Sequence, residues 1–295
     1  MIVHSTLIRR RGTCRRRRDL FATATMLALN RRMNGIRPGP WIRQVKFFLF
    51  DLDGVVYRGA EPISSTITFL ARLAERRIPY AFLTDHAGRV PTRIVGKLES
   101  MGVELSTDRV ITSAMTAAHG LARIKTARVM ALGSGDLPGI LRKEGVKVVR
   151  NDPSHVLLGY IAHAHNHRLA EMAYWLSRGA ELWATNRDLT APGKPFAVLE
   201  CGAFAALLER VSGQRCRYFG KPGREIFEFA LNRFGFLPSE TVMIGDRIDT
   251  DIAGARAANL HSVLTLTGHT TTYPTDDALM PDCVVDSLLE LVAMI

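Results

Sequence analysis

Two aspartates, Asp51 and Asp53, directly follow a strongly apolar segment at residues 45–50 and are separated by a single residue. Residues two apart in an extended chain point to the same side, so both carboxylates are expected to face one site. Carboxylates this close repel one another unless a cation or a proton lies between them, and hard oxygen ligands of this kind favour Mg²⁺. Gly54 permits the sharp turn that must follow. Taken alone, the pattern is more typical of a solvated strand end.

A second acidic group follows another apolar segment near the end of the chain. Gly245-Asp246 comes directly after residues 241–244, and Asp251 lies a short distance further on. Open parallel sheets bind ligands at the carboxyl ends of their strands. Two separate strands that both end in acidic residues therefore predict a shared metal site.

Two further residues could bind the oxygens of a phosphate group. Lys221, in Gly220-Lys221-Pro222, offers a cation that neutralises phosphate and keeps a nucleophile ionised. A similar tripeptide at residues 193–195 lacks the apolar helical segment that follows Lys221, so Lys221 is preferred. Thr84 ends an apolar segment and offers a hydroxyl and neighbouring backbone amides, although a capping role would also account for it.

Short apolar segments alternate with helix-periodic segments from residue 45 onward, which is the pattern of β-α units that build a parallel sheet. The predicted fold class is therefore α/β. Strands are predicted at residues 45–50, 80–83, 110–112, 128–132, 146–149, 156–158, 181–184 and 242–244. Helices are predicted at residues 65–76, 92–101, 114–122, 168–177, 202–211, 225–234 and 251–258.

The positive charge of the chain is concentrated in its first residues. The sequence of 295 residues has a formal net charge of +11, and residues 1–43 contain eleven Arg and one Asp, a local charge of +10. The remaining residues carry about +1, so the folded body is not expected to bind nucleic acid. The tail, residues 1–44, is predicted to be disordered or to act in organellar targeting, and Met26 and Met33 offer alternative translation starts.

Apolar patterning and cysteine usage bear on where the protein resides. No apolar segment reaches the roughly 18 residues of a membrane span, so no membrane association is expected. The cysteines are widely spaced and form no C-x-x-C pair, which favours a reducing compartment and predicts a cytoplasmic protein. They are Cys14, Cys201, Cys216 and Cys283.

Four motifs, in this order along the chain, resemble those of the haloacid dehalogenase superfamily, and within it class IIA, the NagD-like or p-nitrophenyl phosphatase type. The similarity covers the chain from residue 45 onward and includes residues 184–188. It implies a Rossmann-like core with a parallel sheet and an inserted α/β cap of the C2 type. The implied boundaries are 45–124 and 201–295 for the core and 125–200 for the cap. The four motifs are residues 51–59, Leu83-Thr84, Gly220-Lys221-Pro222, and Gly245-Asp246 with Thr250-Asp251.

The resemblance also implies roles for individual residues. Asp51 would be the nucleophile, and Asp53 the group that protonates the leaving oxygen and then activates water. Mg²⁺ would be held by the Asp51 carboxylate, the Asp53 backbone carbonyl and Asp246. Asp251 would support the metal or orient Lys221. The implied phosphate-binding residues are Thr84, Asp85 and Lys221, and the implied substrate contacts in the cap are Asn186 and Arg187.

One position departs from the family pattern. The family usually has Asn-Asn after the threonine, whereas this chain has Asp85 and His86. An additional carboxylate beside a phosphate weakens binding unless it is neutralised, for which Arg89 and His86 are candidates. The departure bears on substrate preference and on catalytic strength.

These features predict a Mg²⁺-dependent phosphatase that hydrolyses small phosphomonoesters, such as sugar phosphates, phosphoglycolate or nucleotides, through an aspartyl-phosphate. The alternative is a catalytically weak protein of the same fold that binds a phosphorylated ligand or partner. A phosphotransferase or mutase is a further enzymatic hypothesis. The expected partner is a small phosphorylated metabolite, and a homodimer is compatible with the sequence. The alternating His163, His165 and His167 are interpreted as a polar loop rather than a metal site.

Overall fold

The structure, a computed structural model, describes residues 38–86, 88, 91–133, 135–191, 193, 195–273 and 279–295. The predicted tail lies outside the described residues up to residue 37, and so does Arg89. The described chain is α/β, with two parallel sheets and two short hairpins. Within it, every helix is too short or too polar to cross a membrane.

Strands and helices alternate along most of the described chain. The strands are β1 Phe47–Phe50, β2 Tyr57–Arg58, β3 Glu61–Pro62, β4 Tyr80–Thr84, β5 Val110–Thr112, β6 Val129–Leu132, β7 His155–Leu158, β8 Glu181–Ala184, β9 Thr190–Ala191, β10 Val198–Leu199, β11 Arg217–Tyr218, β12 Thr241–Gly245, β13 His261–Thr265 and β14 Cys283–Val285. The α-helices are α1 Ser64–Glu75, α2 Pro91–Glu99, α3 Ser113–Ala122, α4 Leu137–Lys143, α5 Asn166–Ser177, α6 Cys201–Ser212, α7 Arg224–Phe234 and α8 Ala253–Ala257.

The larger sheet is parallel throughout, with the strand order β14-β13-β12-β1-β4-β5. Strand β1 lies near its centre and is buried on both faces, which explains why its sequence is continuously apolar. Phe48 packs with Phe69 of α1 on one face, and Phe47 packs with the apolar side of α7 on the other. Because β12, β1 and β4 are neighbours and point the same way, the residues that follow them meet at one edge of the sheet.

The smaller sheet is also parallel, with the order β11-β8-β7-β6. Helices α3 and α4 cover one face and pack with Trp183 and Phe219, and helices α5 and α6 cover the other. Helix α3 begins directly after β5 of the larger sheet and also contacts α7. It therefore connects the two sheets. The side chain of Thr112 caps its first turn by accepting a hydrogen bond from the backbone N–H of Met115.

Most predicted strands and helices are present to within two residues, but several regions differ. Residues 146–149 form an isolated bridge between Val129 and Val148 instead of a strand, and Val148 is largely exposed. The predicted set does not include strands β13 and β14, helix α4, or the short strands β2, β3, β9, β10 and β11. The predicted helix 251–258 begins as a π-helical turn, Ile248–Ile252, and continues as α8.

The predicted end of the cap at residue 200 comes too early. Helix α6 packs on α5 and β8, and β11 pairs with β8 of the smaller sheet. Residues 201–218 therefore belong by their contacts to the smaller sheet rather than to the larger one. The spacing of apolar residues in α6 predicts a helix, but it does not indicate which of the two sheets the helix packs on.

Candidate active site

Three carboxylates meet at the carboxyl edge of the larger sheet. Asp51 follows β1, Asp246 follows β12, and Asp251 lies in the π-helical turn beyond. One carboxylate oxygen from each lies within 4.8 Å of the others, and all three residues are buried or nearly so. All three residues are predicted site residues, and the structure brings them together.

Lys221 lies in the middle of this cluster and is 4% exposed. Its Nζ donates hydrogen bonds to Oδ1 of Asp51 at 2.6 Å and to Oδ1 of Asp251 at 2.7 Å. Burial opposes the charged form of the lysine, but the neighbouring carboxylates of Asp251, Asp51 and Asp85 outweigh it and raise its pKa well above the ordinary value. Lys221 is therefore a permanent cation in contact with the predicted nucleophile.

The carboxylates outnumber this lysine, and the cluster fits a divalent cation. Burial raises the pKa of Asp51 well above its ordinary value; Lys221 opposes this shift, and the Asp251 and Asp246 carboxylates add to it. Among the described residues, Oδ1 of Asp246 is buried and has no hydrogen-bond partner. An unpaired buried carboxylate oxygen is costly. A bound Mg²⁺ would satisfy that oxygen and offset the repulsion.

Two glycines let the backbone approach the Asp246 carboxylate closely. Gly54 has a φ of +83°, and a Cβ there would lie 2.2 Å from Oδ2 of Asp246. A Cβ at Gly268 would lie 2.0 Å from the same oxygen. The turn after Asp53 therefore needs glycine for its conformation and for its close approach to the carboxylate. Asp53 itself is exposed, on the solvent side of this turn.

Asp251 orients its neighbours with both carboxylate oxygens. Oδ1 accepts from Lys221, and Oδ2 accepts from the backbone N–H groups of Asp246 at 3.2 Å and Arg247 at 3.1 Å. It thus fixes the lysine and the loop that carries Asp246. Its predicted role, to support the metal or to orient Lys221, stays a prediction.

Thr84 and Asp85 extend the site along β4. Thr84 is buried, and its Oγ1 accepts a hydrogen bond from the backbone N–H of His86. Oδ1 of Asp85 accepts a 2.9 Å hydrogen bond from the backbone N–H of Lys221. Burial, opposed by Lys221, raises the pKa of Asp85 to about 7. The additional carboxylate is thus partnered by the loop that carries Lys221, residues 219–223, here called the lysine loop. This contact is not among those predicted from the sequence.

The two predicted substrate contacts have different surroundings. Asn186 is 3% exposed, and its Nδ2 donates to the backbone carbonyl of Asp85 at 2.9 Å. Arg187 is exposed, with its guanidinium 4.8 Å from the ring centre of Tyr218. A nearby ion pair between Arg247 and Asp188 joins loops of the two sheets at 3.2 Å. This pair is not predictable from the sequence pattern, because its two residues belong to distant segments.

A cavity of about 590 Å³ lies apart from the carboxylates. It opens between α3, α7 and the edge of the smaller sheet, and its lining includes Arg217, which lies over Trp183 and Phe219. None of the acidic residues of the cluster lines it. Chemistry rather than volume therefore identifies the candidate active site. His163, His165 and His167 are all exposed, and the one metal-ligand grouping found within the described residues is the Asp51, Asp246 and Asp251 cluster.

A lysine-bridged carboxylate cluster at the carboxyl edge of a parallel sheet, beside an inserted α/β unit, is the arrangement of the haloacid dehalogenase-like hydrolases. A family model for haloacid dehalogenase-like hydrolases matches residues 48–147, and a model for HAD-hydrolase-like proteins matches residues 218–291. Ribonucleotide monophosphatase NagD of Escherichia coli (strain K12) is 30% identical over 224 residues, which cover 76% of this chain and 88% of NagD. The chain belongs to this family and, within it, to the NagD-like class IIA branch.

Two further comparisons cover nearly the whole length of the matched proteins. The 5'-nucleotidase YutF of Bacillus subtilis (strain 168) is 29% identical over 256 residues, which cover 86% of this chain and all of YutF. A crystal structure of a thermostable NPPase double mutant from Geobacillus stearothermophilus superposes with a TM-score of 0.79 at 30% identity. That match covers 84% of this chain and 98% of the other.

Proposed function

We propose that this protein is a Mg²⁺-dependent phosphatase that hydrolyses small phosphomonoesters through an aspartyl-phosphate on Asp51. Its family membership makes the chain a hydrolase of phosphoric monoesters, and the relatives named above are a monophosphatase, a nucleotidase and an NPPase. The observation that carries the mechanism is the contact of Lys221 with Asp51 and Asp251, beside the unpartnered oxygen of Asp246.

In the first step, a carboxylate oxygen of Asp51 attacks phosphorus, and the bond to the ester oxygen breaks. Asp53, on the exposed turn, gives its proton to that leaving oxygen. The buried ammonium of Lys221 neutralises charge on the transferring phosphoryl group, where most of the catalysis of such reactions arises. Mg²⁺ held by Asp51, Asp246 and the Asp53 carbonyl would supply further positive charge there.

In the second step, the Asp53 carboxylate takes a proton from water, and the water oxygen attacks phosphorus of the aspartyl-phosphate. Cleavage of the acyl-phosphate bond releases phosphate and restores Asp51. The hydroxyl of Thr84 and the backbone amides beside it bind phosphoryl oxygens. Arg187, exposed next to the site, contacts the part of the substrate beyond the phosphate. Sugar phosphates, phosphoglycolate and nucleoside monophosphates are the proposed substrate classes.

The test is phosphate release from an aryl phosphate and a panel of small phosphomonoesters, with and without Mg²⁺. Asp51→Asn should reduce turnover by roughly three orders of magnitude or more, because the amide is a poor nucleophile. Asp152→Asn is the matched control, since Asp152 is exposed and pairs with Arg128 away from the cluster. It should retain wild-type turnover.

If folded wild-type protein binds Mg²⁺ but hydrolyses none of the esters, the phosphatase proposal is wrong. The remaining hypothesis is then a protein that binds a phosphorylated ligand through the same pocket. Transfer of phosphate to added alcohols instead of water would identify a phosphotransferase.

A further inference from the structure

Asp85 occupies the junction of three segments that are far apart in sequence. Its carboxylate accepts from the backbone N–H of Lys221, and its carbonyl accepts from Nδ2 of Asn186 and from Oγ of Ser113. These partners come from the lysine loop, from the end of β8 and from the start of α3. We propose that Asp85 is a positioning residue, which holds Lys221 in place for phosphoryl transfer and ties the smaller sheet to the same point.

The lysine loop is built to approach Asp85 closely. A Cβ on Gly220 would lie 2.4 Å from Oδ1 of Asp85 and 2.9 Å from the carbonyl oxygen of Thr185. Only glycine at this position lets the backbone reach the carboxylate. The same loop then continues into Lys221, whose Nζ contacts Asp51. Loss of the Asp85 acceptor therefore leaves a buried N–H without its partner, directly beside the residue that neutralises the phosphoryl group.

The negative charge of Asp85 and its hydrogen bond with the Lys221 N–H have different effects on the reaction. The charged groups that face its carboxyl group are Lys221 on the lysine loop, Asp188 after β8 and Asp251 after β12. When ionised, Asp85 adds negative charge next to Thr84, where the phosphate is bound under the proposed function. As a hydrogen-bond acceptor, Asp85 holds Lys221 in the position where it stabilises the transition state. The negative charge of Asp85, in contrast, weakens binding of the anionic substrate.

Two substitutions separate these effects. Asp85→Asn removes the charge but keeps an oxygen acceptor for the Lys221 N–H. Asp85→Ala removes both. Asp286 is exposed at the end of the outermost strand β14, so Asp286→Asn and Asp286→Ala are matched controls for the same chemical changes.

The inference rests on the proposed function and is tested by steady-state kinetics at about pH 8 with inorganic phosphate as a competitive inhibitor. Asp85→Ala should lower kcat roughly 10- to 100-fold, because a small misplacement of a catalytic group has effects of this size. Asp85→Asn should keep kcat within about threefold of wild type. In both variants the inhibition constant of phosphate should fall by about threefold or more as the charge is lost. A mere loss of folded protein would lower the apparent kcat without tightening phosphate binding.

Amide hydrogen exchange at Lys221 provides a second readout that does not require turnover. Exchange should accelerate in Asp85→Ala and remain slow in Asp85→Asn and in both Asp286 variants. If wild type is inactive, the proposed function fails, and the exchange data still decide the positioning role. Unchanged kcat and unchanged exchange in Asp85→Ala, or an equal loss of kcat in Asp85→Asn, would overturn the inference.

Discussion

Asp85 shows how one carboxyl group responds to burial beside a cation. The residue as a whole remains partly exposed, but its carboxyl end is buried against the lysine loop. Desolvation raises its pKa to about 7, and the opposing attraction of Lys221 only limits this shift. In the unfolded chain the same group titrates near 3.8. The folded protein therefore binds one more proton than the unfolded chain between these two values.

This difference predicts a pH dependence of stability. As pH rises from about 5 to about 8, wild type should lose up to about 2 kcal/mol of unfolding free energy that Asp85→Asn does not lose. The sign follows because the folded state must release a proton that the unfolded state has already released. Urea unfolding of both proteins in chelator, at the two pH values, measures the difference. Parallel pH dependence of wild type and Asp85→Asn would contradict it.

The site residues that can be predicted from the sequence are those that directly follow a strand. Asp51 and Asp246 follow apolar strands, so their meeting could be predicted from parallel pairing alone. The hydrogen bond between Asp85 and the Lys221 backbone could not be predicted in this way, because Lys221 lies 136 residues away in sequence on a loop. Asn186, a predicted substrate contact, is buried, and its Nδ2 donates to the Asp85 carbonyl. Hydrogen bonds between loops leave no periodic signal in the sequence.

At the scale of elements, helix α8 packs close to α7 because of one glycine. A Cβ at Gly254 would lie 2.3 Å from Cε2 of Phe227 and 3.2 Å from Cα of Pro222. Phe227 is fully buried, so its ring has no free space to move into. The contact also lies next to Lys221, which precedes Pro222. The spacing of these two helices is therefore coupled to the lysine loop.

Gly254→Ala should destabilise the protein by about 1–3 kcal/mol, the usual range for overpacking a filled core. Gly96 is the matched control, since it is exposed inside α2 and a Cβ there would meet nothing within 4 Å. Gly96→Ala should instead stabilise by up to about 1 kcal/mol, through the higher helix propensity of alanine. Chemical denaturation measures both. Equal effects of the two substitutions would show that the α7–α8 contact is not tight.

Strands β13 and β14 are hard to predict from the sequence because β13 contains polar residues and β14 is short. Strand β13 includes His261, Ser262 and Thr265, and strand β14 has only three residues. Strand β14 is at one edge of the larger sheet and β13 is its neighbour, and Ser262 and Thr265 of β13 are buried. Residues 146–149 are apolar enough to predict a strand, yet they make one bridge at the margin of the smaller sheet. Pairing at sheet edges depends on neighbouring strands more than on local propensity.

For the whole molecule, the uneven distribution of charge is the feature with the clearest consequence. Residues 1–37 contain ten Arg and one Asp, which leaves a charge of about +2 on the rest of the chain. Attraction to polyanions scales with the number of cations that can contact them and weakens with salt. The first 37 residues should therefore account for any affinity of the protein for nucleic acid or heparin.

Deletion of residues 1–37 should shift elution from heparin to much lower salt and leave phosphate release from small esters within about twofold of the full chain. Replacement of Arg15, Arg16, Arg17 and Arg18 by Gln is the intermediate case and should give an intermediate elution. Retention of the deletion variant at the salt concentration of the full chain would place a basic surface on the folded body.

The pairing of β1 with β12 also constrains the order in which a growing polypeptide acquires its parts. All strands of the smaller sheet lie within residues 129–218, so that unit is available to fold as soon as this stretch has been synthesised. Strand β1 meets β12 only about 190 residues after its own synthesis. Asp51 and Asp246 cannot come together before then. A nascent chain stalled between residues 218 and 241 would carry a folded smaller sheet and no assembled carboxylate cluster.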